Sequence, residues 1–98
     1  MYNKNDIITI KLISGEEIVT RFLEENDTAY RVYKPLSVMP SAQGLSLIQT
    51  VISVGPEQEM NVNKACICLH APSRKEMADA WIESATGIKP AASKILKG

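Results

Sequence analysis

The chain has 98 residues, 11 Lys and Arg against 11 Asp and Glu, and 45% hydrophobic residues. That length builds one domain around one core, marginal by itself, so self-association would usefully bury more apolar surface. A net charge of zero removes any global electrostatic case for nucleic-acid or membrane binding, and the hydrophobic content argues against disorder.

In chain order, the segment Met1 to Asp6 is short and polar and lacks a signal peptide's apolar stretch. Ile7 to Ile13 then alternates, with Ile8, Ile10 and Leu12 on one face of a strand and Thr9 and Lys11 on the other. Ser14-Gly15-Glu16 closes a hairpin, because Gly15 takes the positive φ that tight turns between twisted strands require. In the second strand, Glu17 to Glu24, residues Ile18, Thr20 and Phe22 oppose Val19, Arg21 and Leu23. Apolar residues on both faces predict a cover on the outside, either a helix or another subunit.

A polar Glu25-Asn26-Asp27 turn leads into a third strand, Thr28 to Tyr33, which Pro35 is expected to end because proline cannot donate to a ladder. Leu36 to Met39 is its possible continuation beyond a bend, and Pro40 to Gly44 reads as a plain loop. Leu45 to Val54 is nearly continuous in apolar residues, the pattern of a strand buried on both faces. Gly55-Pro56 with Glu57 to Glu59 makes the next turn, and a fifth strand is expected from about Asn61 to His70.

The period then changes. Ser73-Arg74-Lys75-Glu76 has the form of a capping box, and Met77, Ala78, Trp81, Ile82 and Ala85 follow as one apolar helical stripe. Gly87 is a natural stop. Ile88 to Gly98 is expected as a tail or a short second helix near Pro90. No apolar run approaches the roughly 20 residues that span a bilayer.

Candidate chemistry is sparse. Cys66-x-Cys68-x-His70 has metal-ligand residue types, but on a regular strand Cys66 and His70 stand roughly 13 Å apart. One zinc ion holds its ligands about 2 Å away, so no metal site and no cofactor are expected. The two cysteines form no disulfide framework, which favours a reducing, cytoplasmic setting. His70 is the single histidine, and no nucleophile elbow, phosphate-cradling glycine loop or metalloprotease signature accompanies it. The chain therefore reads as a binding protein and not an enzyme. Glu16-Glu17 and Glu24 to Asp27 read as solvated loop charge. Tyr30, Arg31, Tyr33 and Lys34 intermix aromatics and cations, as surfaces for single-stranded nucleic acid do, and as the rim of a small barrel also does.

The segment Ile10-x-Leu12-x-x-Gly15-x-x-Ile18-x-x-x-Phe22 resembles the first motif of Sm and Lsm-like proteins. With its Gly15-Glu16-Glu17 turn, the Tyr30-to-Pro35 segment and a late aromatic helix, the chain is similar to divergent Sm-like proteins encoded by phages of marine bacteria. The resemblance covers residues 7–70. It implies a five-stranded, strongly bent, SH3-like open barrel (7–70), which with the C-terminal helix (73–87) and the tail or short second helix (88–98) read from the residues makes one mostly β domain over residues 1–98. It further implies a homo-oligomeric ring, in which the fourth strand of one subunit pairs with the fifth of the next, and a host-cell cytoplasmic location.

Family RNA sites use an Asp and an Asn after the second strand and an Arg-Gly before the fifth. Aligned from Gly15, those first two positions fall on Asn26 and Tyr30. No Arg-Gly occurs, and Asn61, Asn63 and Lys64 are the polar residues in its place. The bend glycine of the second strand is Thr20, and the family's N-terminal helix is absent. Two expectations follow. In one, the ring binds single-stranded RNA, with Tyr30 stacking bases, Asn26 and Asn63 hydrogen-bonding, and Arg31 and Lys64 on phosphates. In the other, the ring is a scaffold or protein-interaction module without RNA recognition.

Overall fold

The computed structural model describes residues 2–42, 44–51, 53–55 and 57–87. Six strands, β1 Ile7–Leu12, β2 Glu17–Glu25, β3 Ala29–Ser41, β4 Gly44–Gln49, β5 Glu59–Asn63 and β6 Ile67–Pro72, precede one helix, α1 Lys75–Thr86. The pairings are all antiparallel and run β4-β3-β2-β1-β6, with β5 beside the first half of β3. The sheet is bent and does not close. No helix among the described residues is long and apolar enough to cross a membrane.

The β1–β2 hairpin forms as its alternation predicts, with Ile10 opposite Ile18 and Lys11 opposite Glu17. Gly15 sits at φ 97° in the turn, which Leu12 N–H to Glu16 O closes at 2.8 Å. Ile8, Ile10, Ile18, Phe22, Tyr30 and Val32 form the inner core, with Tyr2, Leu12, Val62 and Ile67 packed against it. Residues from β1, β2, β3, β5 and β6 thus meet inside the curl. The opposite face of β2 and β3 supplies Val19 and Leu36 to an outer core with Met77 and Trp81 of α1. The helix is the cover that the two apolar faces of β2 predict.

Pro35 does not end the third strand. β3 runs 13 residues through it, because the ladder slips there: Tyr33 pairs Arg21 and Leu36 pairs Val19, leaving Lys34 and Pro35 opposite Thr20 alone. A bulge needs no donor from Pro35 and accepts the left-handed Lys34 (φ 55°). Two side chains satisfy the carbonyls around the bulge. Thr20 Oγ1 donates to Tyr33 O at 2.8 Å, and Trp81 Nε1 donates to Lys34 O at 2.9 Å. Trp81 and Thr20 are both fully buried. The bend expected at a glycine of the second strand is therefore accompanied by a bulge in the third.

The later strands depart further from expectation. Pro40 and Ser41 belong to β3 and Gly44 to β4, so the expected loop is a hairpin turn. The buried strand expected over Leu45 to Val54 ends at Gln49, and its Leu45 and Ile48 are 40% and 49% exposed. The fifth strand expected over Asn61 to His70 is broken by a 3-10 turn, Lys64–Cys66, into β5 on β3 and β6 on β1. Asn63 caps that turn through Oδ1, which accepts from Ala65 N–H at 2.9 Å. Six strands result where five were expected.

The helix begins at Lys75, and Arg74 holds the cap position without a side-chain bond. The capping box does not form. Ser73 Oγ is engaged with Thr9 Oγ1 at 2.7 Å, and its N–H continues the sheet to Ile7 O. Glu76 instead pairs with Arg74 at 3.5 Å. Gly87 ends the helix as expected, at φ 77° with its N–H on Glu83 O. The tail expected over Ile88 to Gly98 lies outside the described residues.

Candidate functional site

The slip in β1–β6 pairing decides which residues of β6 look inward. Ile10 opposes His70 and Lys11 opposes Leu69, but Leu12 opposes Ile67, so Cys68 is the extra residue of a bulge. Ile67 packs on the inner core and His70 turns to the same side, while Leu69, 65% exposed, faces out. Cys66 ends the 3-10 turn, and both thiols are free and exposed. The even alternation assumed for Cys66, Cys68 and His70 is therefore broken twice. Among the described residues, no group of three His, Cys, Asp or Glu is placed to hold a metal ion.

His70 instead joins an aromatic cluster at one end of the inner core. Tyr2 Oη lies 2.6 Å from its Nδ1 and Tyr30 Oη lies 3.3 Å from its Nε2. A neutral imidazole has one N–H and one lone pair, so one tyrosine donates to it and the other accepts. The rings of Tyr2, Phe22 and Tyr30 pack tilted or edge-on around it. Burial raises the Tyr2 pKa, with smaller contributions from Tyr30 and Glu25. Beside the cluster lies a cavity of about 280 Å³ lined by Tyr30, Lys64, Ile67, Cys68 and His70.

The structure gathers part of the expected RNA set here. Tyr30 and Lys64 share the cavity wall, with Lys64 Nζ 5.4 Å from the Tyr30 ring centroid. The Tyr30 ring, however, is 4% exposed and is a core residue, so its faces meet neighbouring side chains and not solvent. Lys64 is paired with Glu25 at 2.6 Å and Arg31 with Glu59 at 2.9 Å. Asn26 Oδ1 holds the β2–β3 turn, accepting from the Thr28 and Ala29 N–H groups at 2.9 Å each. Asn63 caps the 3-10 turn. Each of the five residues thus has a structural partner.

Tyr2, which the sequence does not single out, and His70, whose role it leaves open, complete this region. Tyr2 lies in the polar segment before β1, where no periodicity marks it as a core residue. His70 has the residue type of a metal ligand or a base, and only the bulge at Cys68 turns it toward the tyrosines. Tyr33 belongs elsewhere: it meets Trp81 edge-on, and the Arg21 guanidinium lies against both rings, 5.1 Å from each centroid. Lys34 Nζ donates to Ala85 O at 3.2 Å. Glu16 is not simply solvated, since its carboxylate accepts from the buried Ser37 hydroxyl.

A second surface lies on the outside of the sheet's β6 end. A groove of about 470 Å³ is lined by Thr9, Lys11, Glu17, Leu69, His70 and Ala71. Ile13, just after β1 and bonded through its N–H to Cys66 O, is also exposed, at 70%. β6 pairs only with β1, and β4 and β5 pair only with β3, so the outer edges of all three lack a strand partner among the described residues. Compared with protein-family models, curated proteins and solved structures, the chain matches none.

Proposed function

We propose that the chain is an Sm-like subunit that assembles with copies of itself into a ring through its sheet edges and serves as a scaffold for protein assembly. The observation that carries this reading is the pair of strand edges, β5 and β6, that lack a partner among the described residues of one open sheet, with Leu69 exposed on β6 and Ile13 exposed just after β1. Bare edges flanked by apolar side chains template further strand pairing. Joining the β5 edge of one copy to the β6 edge of the next is head-to-tail, and such contacts make closed rings when the rotation closes. The bent sheet, with five of its strands around the inner core, supports the Sm-like assignment, β4 then being an added hairpin. Equal numbers of acidic and basic residues, and carboxylate partners on Arg31 and Lys64, favour a scaffold over an RNA binder. Light scattering on the purified chain tests this. A discrete oligomer is expected, and a clean monomer at all concentrations overturns it.

A second reading, binding of single-stranded RNA, is favoured by the cavity that brings Lys64, Tyr30 and His70 together. A cation beside aromatic rings is the pairing that holds phosphate and base. Fluorescence anisotropy with U-rich and A-rich oligomers at low salt should then show binding that weakens as salt rises. Absence of binding to both oligomers removes this reading and leaves the scaffold.

A further inference from the structure

β4 is the edge strand that the ring reading leaves unused. From Pro35 to Pro56 the chain carries no Asp, Glu, Lys, Arg or His, so β4 and the half of β3 beside it are free of charge. Glu16, which reaches Ser37 from the β1–β2 turn, is engaged by its hydroxyl. Edge strands are commonly guarded by a lysine, a proline or a bulge, and β4 has none of these. β5, by contrast, opens with Glu59, and β6 ends in Pro72. Leu45 and Ile48 are exposed on opposite faces of β4, and Met39 is exposed across from Ser46.

The β3–β4 ladder decides which backbone groups of β4 face outward. Thr50 N–H donates to Pro35 O at 3.4 Å, so bonded pairs recur from there as Ser37 with Ile48, Met39 with Ser46 and Ser41 with Gly44. Pro40, which has no N–H, falls in an unbonded pair with Leu45, as that alternation requires. The N–H and C=O groups of Leu45, Leu47 and Gln49 therefore point away from β3 and find no partner among the described residues. Leu47 packs with Val38 against the outer core, so Leu45 and Leu47 face the α1 side, and Ser46 and Ile48 face the other.

We propose that β4 pairs with β4 of a second copy of this chain, antiparallel about a twofold axis at Leu47. In that register Leu47 exchanges both backbone bonds with the partner's Leu47, and Leu45 does so with the partner's Gln49. A twofold axis normal to the sheet keeps each face on its own side, and this register obeys it. The leucine rows of the two copies join on the α1 side, and Ile48 lies opposite the partner's Ser46. The strand is thus its own complement in hydrogen bonds, in faces and in charge. A partner bearing charges would have to bury them against a surface with none to offer, which is costly. The junction uses neither β5 nor β6, so it goes beyond the ring reading and is independent of it.

Hydrogen exchange at single amides, with light scattering over the same concentration series, tests the junction. The Leu45, Leu47 and Gln49 amides should exchange more slowly as the pair forms, while Ser46 and Ile48, already bonded to β3, should not change. Ile48→Lys and Ile48→Glu, at a site 49% exposed, should each raise the dissociation constant of the pair at least about tenfold, because each puts like charges diagonally across the axis. Mixing the two variants should restore pairing, and Ile13→Thr with Leu69→Thr should leave the protection of the β4 amides as it was. Slowing that appears at β6 and not at β4 overturns the β4 junction while the ring stands. Slow exchange at Leu45, Leu47 and Gln49 in a monomer shows an edge covered within the chain and overturns it as well. So does a mixture of folded variants that pairs no better than either alone.

Discussion

Ile13→Thr with Leu69→Thr is the substitution pair that bears most directly on assembly. Both side chains are about two-thirds exposed in the single chain, at 70% and 65%. Fully burying a Leu or Ile side chain contributes about 1.5–3 kcal/mol. Two-thirds of that for each residue amounts to about 2–4 kcal/mol per junction, or roughly 30- to 700-fold in its dissociation constant. Both sites are exposed and threonine is accommodated well in a strand at position 69, while Ile13 lies in the turn after β1, so the subunit's own stability should change by no more than about 0.5 kcal/mol. Light scattering over a concentration series is the assay, with thermal melting by circular dichroism as the control for folding. The pair should move the monomer–oligomer transition to higher concentration by at least an order of magnitude. An unchanged transition in a folded double variant would refute a β6-centred junction.

Three further outcomes follow from the same geometry. Trp81→Phe removes the donor to Lys34 O and part of the outer core, and should cost about 2–4 kcal/mol in urea unfolding; a loss below about 1 kcal/mol would show that the helix does not latch the β3 bulge. Asn26→Ala should cost about 1 kcal/mol through its turn, whereas Asn26→Asp keeps the acceptor and should cost much less; equal losses would show that Oδ1 does not hold the turn. Tyr2 has a pKa raised above the ordinary 10.0, so its folded form keeps the proton more tightly than the unfolded form does. Its contribution is therefore full below pH 10.0 and lost as pH rises beyond it. Tyr2→Phe should accordingly show a shallower fall in melting temperature between neutral and strongly alkaline pH than the parent, and parallel falls would contradict a Tyr2 proton held more tightly in the folded form.

Much of the β-rich core was legible because it obeys local periods. Alternation placed Ile8, Ile10, Ile18 and Phe22 on one face, and the helical stripe placed Met77 and Trp81 on the other side of β2. The failures occur where partners distant in sequence override the local pattern. Pro35 reads as a terminator only if the ladder is regular, and a bulge makes its missing N–H harmless. Ser73 reads as a cap only if its hydroxyl is free, and Thr9, sixty-four residues away in sequence, engages it. The site fared worse for the same reason. Asn26, Asn63, Arg31 and Lys64 have the residue types of an RNA reader, but type does not show that a side chain already has a partner.

The sequence by itself determined a small β domain with a covering helix, because hydrophobic period depends on neighbours two to four residues apart. Tertiary structure alone decided the bulges at Lys34-Pro35 and Cys68, the break between β5 and β6, and the meeting of Tyr2, Tyr30 and His70. A bulge moves every later side chain to the opposite face at the cost of one residue. Which strand supplies that residue depends on partners distant in sequence: Thr20 and Trp81 satisfy the carbonyls at one bulge, and the Leu12–Ile67 pairing sets the other.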